Sequence, residues 1–129
     1  MGEAERDYKP HYQLQAWQSA MHLVKLVYLW SQDFPIEEKY GLQSQIRRAA
    51  ISIPSNIAEG AGRTGSREFV HFLSITKGSL SELETQYLLA LDLGFASSDQ
   101  VLEDMLTRTS KLVSGLHKFH KQKIDSSKR

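Results

Sequence analysis

The chain has 129 residues, 40% hydrophobic and 24% charged, with a formal net charge of +1 at pH 7. That length suits one domain able to bury roughly two-thirds of its unfolded surface, and three prolines and eight glycines are too few for a loop-rich or disordered chain. The absence of cysteine excludes disulfides, thiolate nucleophiles and Cys-based zinc or iron–sulfur sites.

The N-terminus, Met1 to Arg6, is charged and lacks the apolar core of a secretory signal. Gly2 does not complete a myristoylation motif, because Arg6 stands where Ser or Thr is needed. The most apolar stretch, Ala20 to Trp30, is 11 residues long and contains His22 and Lys25, well short of the about 20 apolar residues of a membrane span. The expectation is a soluble, cytoplasmic single domain over residues 1–129, with an N-terminal arm (1–11) and a basic tail (121–129).

The first helix is predicted from about Tyr12 to Gln32. Leu14, Trp17, Met21, Val24 and Tyr28 recur at three- and four-residue steps and form its core face. Phe34-Pro35 stops it, since the residue before proline disfavours the α region. The second helix lies within Ile36 to Arg63, with Leu42, Ile46, Ala49, Ile53 and Ile57 inward. Pro54 removes a backbone donor and should kink it, and the turn AGRTG closes it.

Ser66 opens the third helix with Glu68 in its first turn. Its inward face is Phe69, Leu73, Thr76, Leu80, Leu83, Tyr87 and Leu91, and Gly94 ends it. The fourth helix starts at Ser97, where Ser97-Ser98-Asp99-Gln100 reads as a capping box. Leu102, Met105, Leu106, Thr109, Leu112, Val113, Leu116 and Phe119 follow at heptad-like spacing. No segment alternates like a strand, so the prediction is an all-α, antiparallel up-down-up-down four-helix bundle.

Apolar surface exceeds what such a bundle needs. Ala16, Leu23, Leu26 and Trp30 form a second set on helix one; Ile51 and Ala58 lie opposite the core of helix two; Val70, Ile75, Leu88, Leu89 and Leu93 lie off the main stripe of helix three. Self-association explains this surplus better than wide stripes do. Leu23, Trp30, Ile51, Ala58 and Leu88 are the candidates for the subunit contact.

Signs of catalysis are few. No Gly-rich phosphate loop follows a strand and no HExxH motif is present. Glu68-Phe69-Val70-His71 fits ExxH, but di-iron bundles need two such motifs, and His71 lies about 200° from Phe69 on the helical wheel. His117 and His120 could clip a metal at i, i+3 spacing, although isolated surface histidines in a basic tail are commoner. The expectation is therefore a non-enzymatic protein without metal or cofactor.

Gln45, Arg48, Ser52, Asn56, Glu59 and Arg63 form a polar row, a strip about 80° wide beside the core face of helix two. Small neighbours suggest that Asn56 and Glu59 are partly buried, with Arg48 or Arg63 as the carboxylate's partner. The row reads first as a register-fixing network and second as a recognition site. From Arg108 onward there are seven basic residues against one acid, Asp125. Such a segment can neutralise phosphates or simply complement a helix C-terminus.

The segment GLQSQIRRAAISIPSNIAEGAGR, Gly41 to Arg63, resembles the core signature of the four-helix bundle family named for proteins encoded in 23S rRNA intervening sequences. Ala16-Trp17, Phe34-Pro35 with Glu38, Glu68-Phe69, Phe72-Leu73-Ser74-Ile75 and Lys77-Gly78-Ser79-Leu80 fit the same family, so the likeness covers roughly residues 12 to 95. It implies a bacterial, cytosolic homo-oligomer, a ring of five, and kinship with the accessory protein of diversity-generating retroelements, a basic oligomer that contacts nucleic acid and a reverse transcriptase. It brings no catalytic residues. On this reading Arg47, Arg48, Arg63, Arg67, Lys118, Lys121 and Lys123 are the candidates for contacting RNA or DNA. The alternative is a structural module that contacts only proteins.

Overall fold

A computed structural model describes residues 9–127. Residues 1–8 of the N-terminal arm, and Lys128 and Arg129 of the tail, lie outside the described residues. Four helices follow in order: α1 (Gln15–Ser31), α2 (Leu42–Ala61), α3 (Ser66–Asp92) and α4 (Gln100–Ser127). Single 3₁₀ turns at Pro10–Gln13 and Ile36–Glu38 precede α1 and α2, and no strand occurs among the described residues. Consecutive helices pack together, and α1 closes the bundle against α4.

Side-chain pairs give the directions. Ser19, early in α1, meets Thr109, whereas Trp30 near its end reaches the Ser97 carbonyl just before α4. Ser52 meets Ser79, while Gly60 near the end of α2 faces Phe69 near the start of α3. Tyr87 bonds Glu103, while Ser66 bonds His120. Ser31, ending α1, receives Arg47 of early α2, while Trp17 and Ala58 line one groove. Neighbouring helices therefore run antiparallel, in the up-down-up-down order.

The helix ends have local causes. The Glu38 carboxylate accepts the Leu42 N–H at 3.0 Å and caps α2. Gly94, at φ 76°, stops α3: its N–H bonds the Leu91 carbonyl and the Phe95 N–H bonds that of Ala90. That is the Schellman pattern, which needs a left-handed residue where glycine costs least. At α4 the capping-box reading of Ser97 needs correction. Asp99 is the cap, its Oδ1 accepting the Leu102 N–H at 3.0 Å, while Gln100 bonds Asp104. An aspartate there adds full negative charge to the hydrogen bond.

Gly60 does more than close a turn. A Cβ there would come within 2.8 Å of the Phe69 ring and 2.9 Å of Phe72 Cβ, so its bare backbone lets α2 and α3 approach. α2 runs unbroken through Pro54, whose ring is buried.

The core face predicted for α1 is also corrected. Ala16, Ser19, Ala20, Leu23, Val27 and Ser31 are the buried residues, and Trp17, Met21 and Val24 stay half-buried on a second face. Both stripes are apolar and one helical period serves either; the small Ala16, Ser19 and Ala20 allow the closer approach. Ser19 and Thr109 satisfy one another across this interior at 2.6 Å.

Candidate nucleic-acid interface and subunit surface

The polar row of α2 separates into two parts. In its middle, the Ser52 and Ser79 hydroxyls lie 2.7 Å apart, and Asn56 Nδ2 donates to the Ser52 carbonyl at 2.8 Å and to its hydroxyl at 2.9 Å. The Ser52–Ser79 bond ties α2 to α3 and fixes their register, while Asn56 holds Ser52 in place from within α2. Gln86 of α3 is also buried; it donates to Glu82 at 3.2 Å and its Oε1 has no partner. At the end of the row, Glu59 accepts from Arg63 at 2.8 Å, and the two side chains are 54% and 44% exposed. The expected burial of Glu59 is thus incorrect: one turn separates it from Arg63, and the pair reaches solvent. Gln45 and Arg48 are exposed.

The seven candidate cations do not share a face. Arg47 belongs to the fold, its guanidinium lying 4.4 Å from the Tyr28 ring centroid and bonding Ser31 Oγ at 3.0 Å and the Tyr28 carbonyl at 3.2 Å. Those contacts staple α2 to α1. Arg63 is committed to Glu59 and the Phe72 ring. Arg48 is exposed on α2, diagonally across the bundle from α4. Arg67, Lys118, Lys121 and Lys123 are exposed at the end where α3 starts and α4 finishes. Because His120 pairs with Ser66, the first residue of α3, the last seven residues of α4 run about 10 Å past it.

The seam between α3 and α4 gives His117 and His120, which the sequence offered as a metal clip, to two serines of α3 instead. His117 Nε2 lies 3.3 Å from Ser74 Oγ, and one turn on, His120 Nδ1 lies 2.9 Å from Ser66 Oγ. Partial burial, then Lys77 and Lys121, hold His117 below the ordinary imidazole range; burial, then Lys123, does the same for His120. Toward the middle of the bundle the seam opens into a polar groove of about 160 Å³, lined by Lys77, Leu80, Ser81, Glu84, Ser110 and Ser114. From the sequence Lys77 could extend a basic surface with Arg47 and Arg67, but their faces diverge on the helical wheel, so it is not among the candidate cations. Ser74 and Lys77 on α3, with Ser110, Ser114, His117 and Lys121 on α4, repeat at helical steps, so the row was readable once the two helices were placed side by side.

Two mainly apolar grooves flank α1. A groove of about 400 Å³ between α1 and α2 is lined by Trp17, Met21, Val24, Lys25, Ile51, Pro54, Ser55 and Ala58. A second, of about 360 Å³, runs between α1 and α4 past Leu14, Ala16, Leu112, Leu116 and Phe119, with Gln15 and Lys111 also in its lining. Of the proposed contact residues, Ile51 and Ala58 line the first groove. Leu23 is fully buried inside the chain and cannot reach a partner. Trp30 is packed on Tyr87 and Phe34 with its Nε1–H given to Ser97. Leu88 is 51% exposed on α3, outside either groove.

Among the described residues no three His, Asp or Glu side chains gather to hold a metal. His71 is exposed and edges onto Phe72, and His117 and His120 each turn to a different serine. No described helix is long and apolar enough to cross a membrane. No curated protein matches the chain significantly. The family comparison does match, over residues 12–118, from the turn before α1 to the final third of α4. With four helices in the expected order and a match across most of its length, the chain belongs to the 23S rRNA-intervening sequence protein family.

Proposed function

We propose that the protein is a non-enzymatic homo-oligomer that associates with RNA, using its α1 side for self-contact and the α3/α4 end for the nucleic acid. The observation that carries this reading is the division of charge between helices. The 17 residues of α1 include one formal charge, Lys25, and both large apolar grooves flank that helix. Depletion of charge around apolar surface is the mark of a buried subunit contact. Arg67, Lys77, Lys118 and Lys121 gather instead at the α3/α4 seam and its end, and Lys123, on the overhang of α4, covers the Phe119 ring.

A family named for an rRNA intervening sequence supports RNA as the polyanion. A closed ring, of five copies as the family resemblance implies, would repeat the basic end around its circumference and turn a net charge of +1 per chain into a continuous local field. Binding should be weakly sequence-specific, because the α3/α4 seam offers lysines and hydroxyls, and the exposed ring at that end, Phe119, is covered by Lys123 rather than stacked with other rings into a platform. The test is titration of a labelled single-stranded RNA at several salt concentrations. Log K should decline by roughly 0.7 per phosphate neutralised for each tenfold rise in salt. An oligomer that ignores RNA at about 50 mM salt, where such contacts are strongest, would instead be a structural or protein-interaction module.

A further inference from the structure

We propose that the α3/α4 seam around Ser74, Lys77, His117 and Lys121 binds the phosphodiester groups of single-stranded RNA, with His117 becoming a third cation when the anion is in place. This rests on the RNA reading above and adds the site and its pH dependence. Lys77 stands across the seam on α3 and Lys121 one turn along α4, and after partial burial the charges of both lower the proton affinity of His117. Such an arrangement disfavours protonation in the empty seam. A phosphate between the lysines reverses the sign of the local field and supplies an acceptor for an imidazolium N–H.

The neighbouring groups fit a polyanion. Ser74 already holds the imidazole at 3.3 Å, and the hydroxyls of Ser110 and Ser114 continue the seam beyond Lys77. Hydroxyls and lysines together are the usual partners of phosphate oxygens. Two acids bound the stretch. Glu84 lies two turns from Lys77 along α3 and Asp125 one turn past Lys121 on α4, while Lys118 adds positive charge on the outer side. A strand following the seam is therefore confined to the segment between them. Coupling is reciprocal: if RNA raises the proton affinity of His117, acidification raises the affinity for RNA by the same factor.

The experiment uses the full chain, a labelled single-stranded oligouridylate, and inorganic phosphate as a separate probe. Lys77→Gln and Lys121→Gln should each weaken RNA binding about three- to tenfold at low salt and lower the salt slope by about 0.7, whereas Lys39→Gln at the other end should change neither. Wild-type affinity should rise about tenfold from pH 8 to pH 6. His117→Asn, which can still bond Ser74, should flatten that rise while keeping the helical content and oligomeric state. NMR titration of the His117 ring should show a higher pKa with RNA bound. If RNA binds but is indifferent to Lys77→Gln and Lys121→Gln, the site lies elsewhere and this inference fails while the RNA reading stands. Unchanged pH dependence in His117→Asn overturns the part given to His117. Inorganic phosphate shifting the ring while RNA leaves it unmoved overturns the assignment to RNA, and no RNA binding at all removes both readings.

Discussion

Tyr87 shows how one buried polar group is made to fit. Its hydroxyl donates to Glu103 at 2.6 Å and accepts the Asp99 N–H at 2.8 Å, which joins the end of α3 to the start of α4. Burial first, then the bond to Glu103, pushes the phenol up to about 12. The contribution is therefore complete below the ordinary phenol range and is lost as pH climbs through that raised value. Tyr87→Phe should lower stability by about 1–3 kcal/mol, because a backbone donor and a carboxylate lose their partner together; urea unfolding measures it. Glu59→Ala should cost only about 0.3–0.5 kcal/mol, the worth of an exposed i, i+4 pair. A loss several times larger would mean that the carboxylate is shielded from solvent. The sequence could rank Glu59 and Arg63 as partners by spacing, but burial depends on how far α3 covers α2, and spacing along one helix does not contain that distance.

At the scale of elements, all four helices were readable because their apolar residues return every three or four positions. α1 defeated that reading in one respect: it has two apolar stripes, and periodicity cannot say which faces inward. The decision belongs to the partner helices, which accept the stripe of small residues Ala16, Ser19 and Ala20. The Ser97 box failed for a similar reason, since four consecutive polar residues all suit a cap and Trp30 claims the Ser97 carbonyl. The basic residues fared least well. Side by side in sequence, Arg47 and Arg48 face different neighbours, and Lys77 joins His117 only through the α3/α4 packing. Partial burial, then nearby lysines, lowers the proton affinity of both histidines of that seam. The unfolded chain binds these protons more readily, so stability should be full above the ordinary imidazole range and fall as pH drops below about 6.5. Thermal melts between pH 7.5 and 5.5 should show a falling Tm, less steep in His120→Asn; an unchanged melting temperature would show that the imidazoles take up protons without cost.

For the molecule as a whole, the two kinds of surface make opposite demands on a mutation. Ile51 is 43% exposed in a single chain and lines the apolar groove beside α1. Ile51→Glu should leave the fold of the chain intact and dissociate the assembly, since an unpaired carboxylate buried in a subunit contact costs several kcal/mol. Circular dichroism should be unchanged while the sedimentation coefficient falls to that of one chain. The most direct single measurement is sedimentation velocity of the wild-type protein at micromolar concentration and about 50 mM salt, where phosphate contacts are strong, with and without labelled single-stranded RNA. A homo-oligomer that carries the RNA with it, and releases it in high salt without dissociating, is the predicted result. A 14.7 kDa monomer, or an oligomer that leaves the RNA behind, would contradict it.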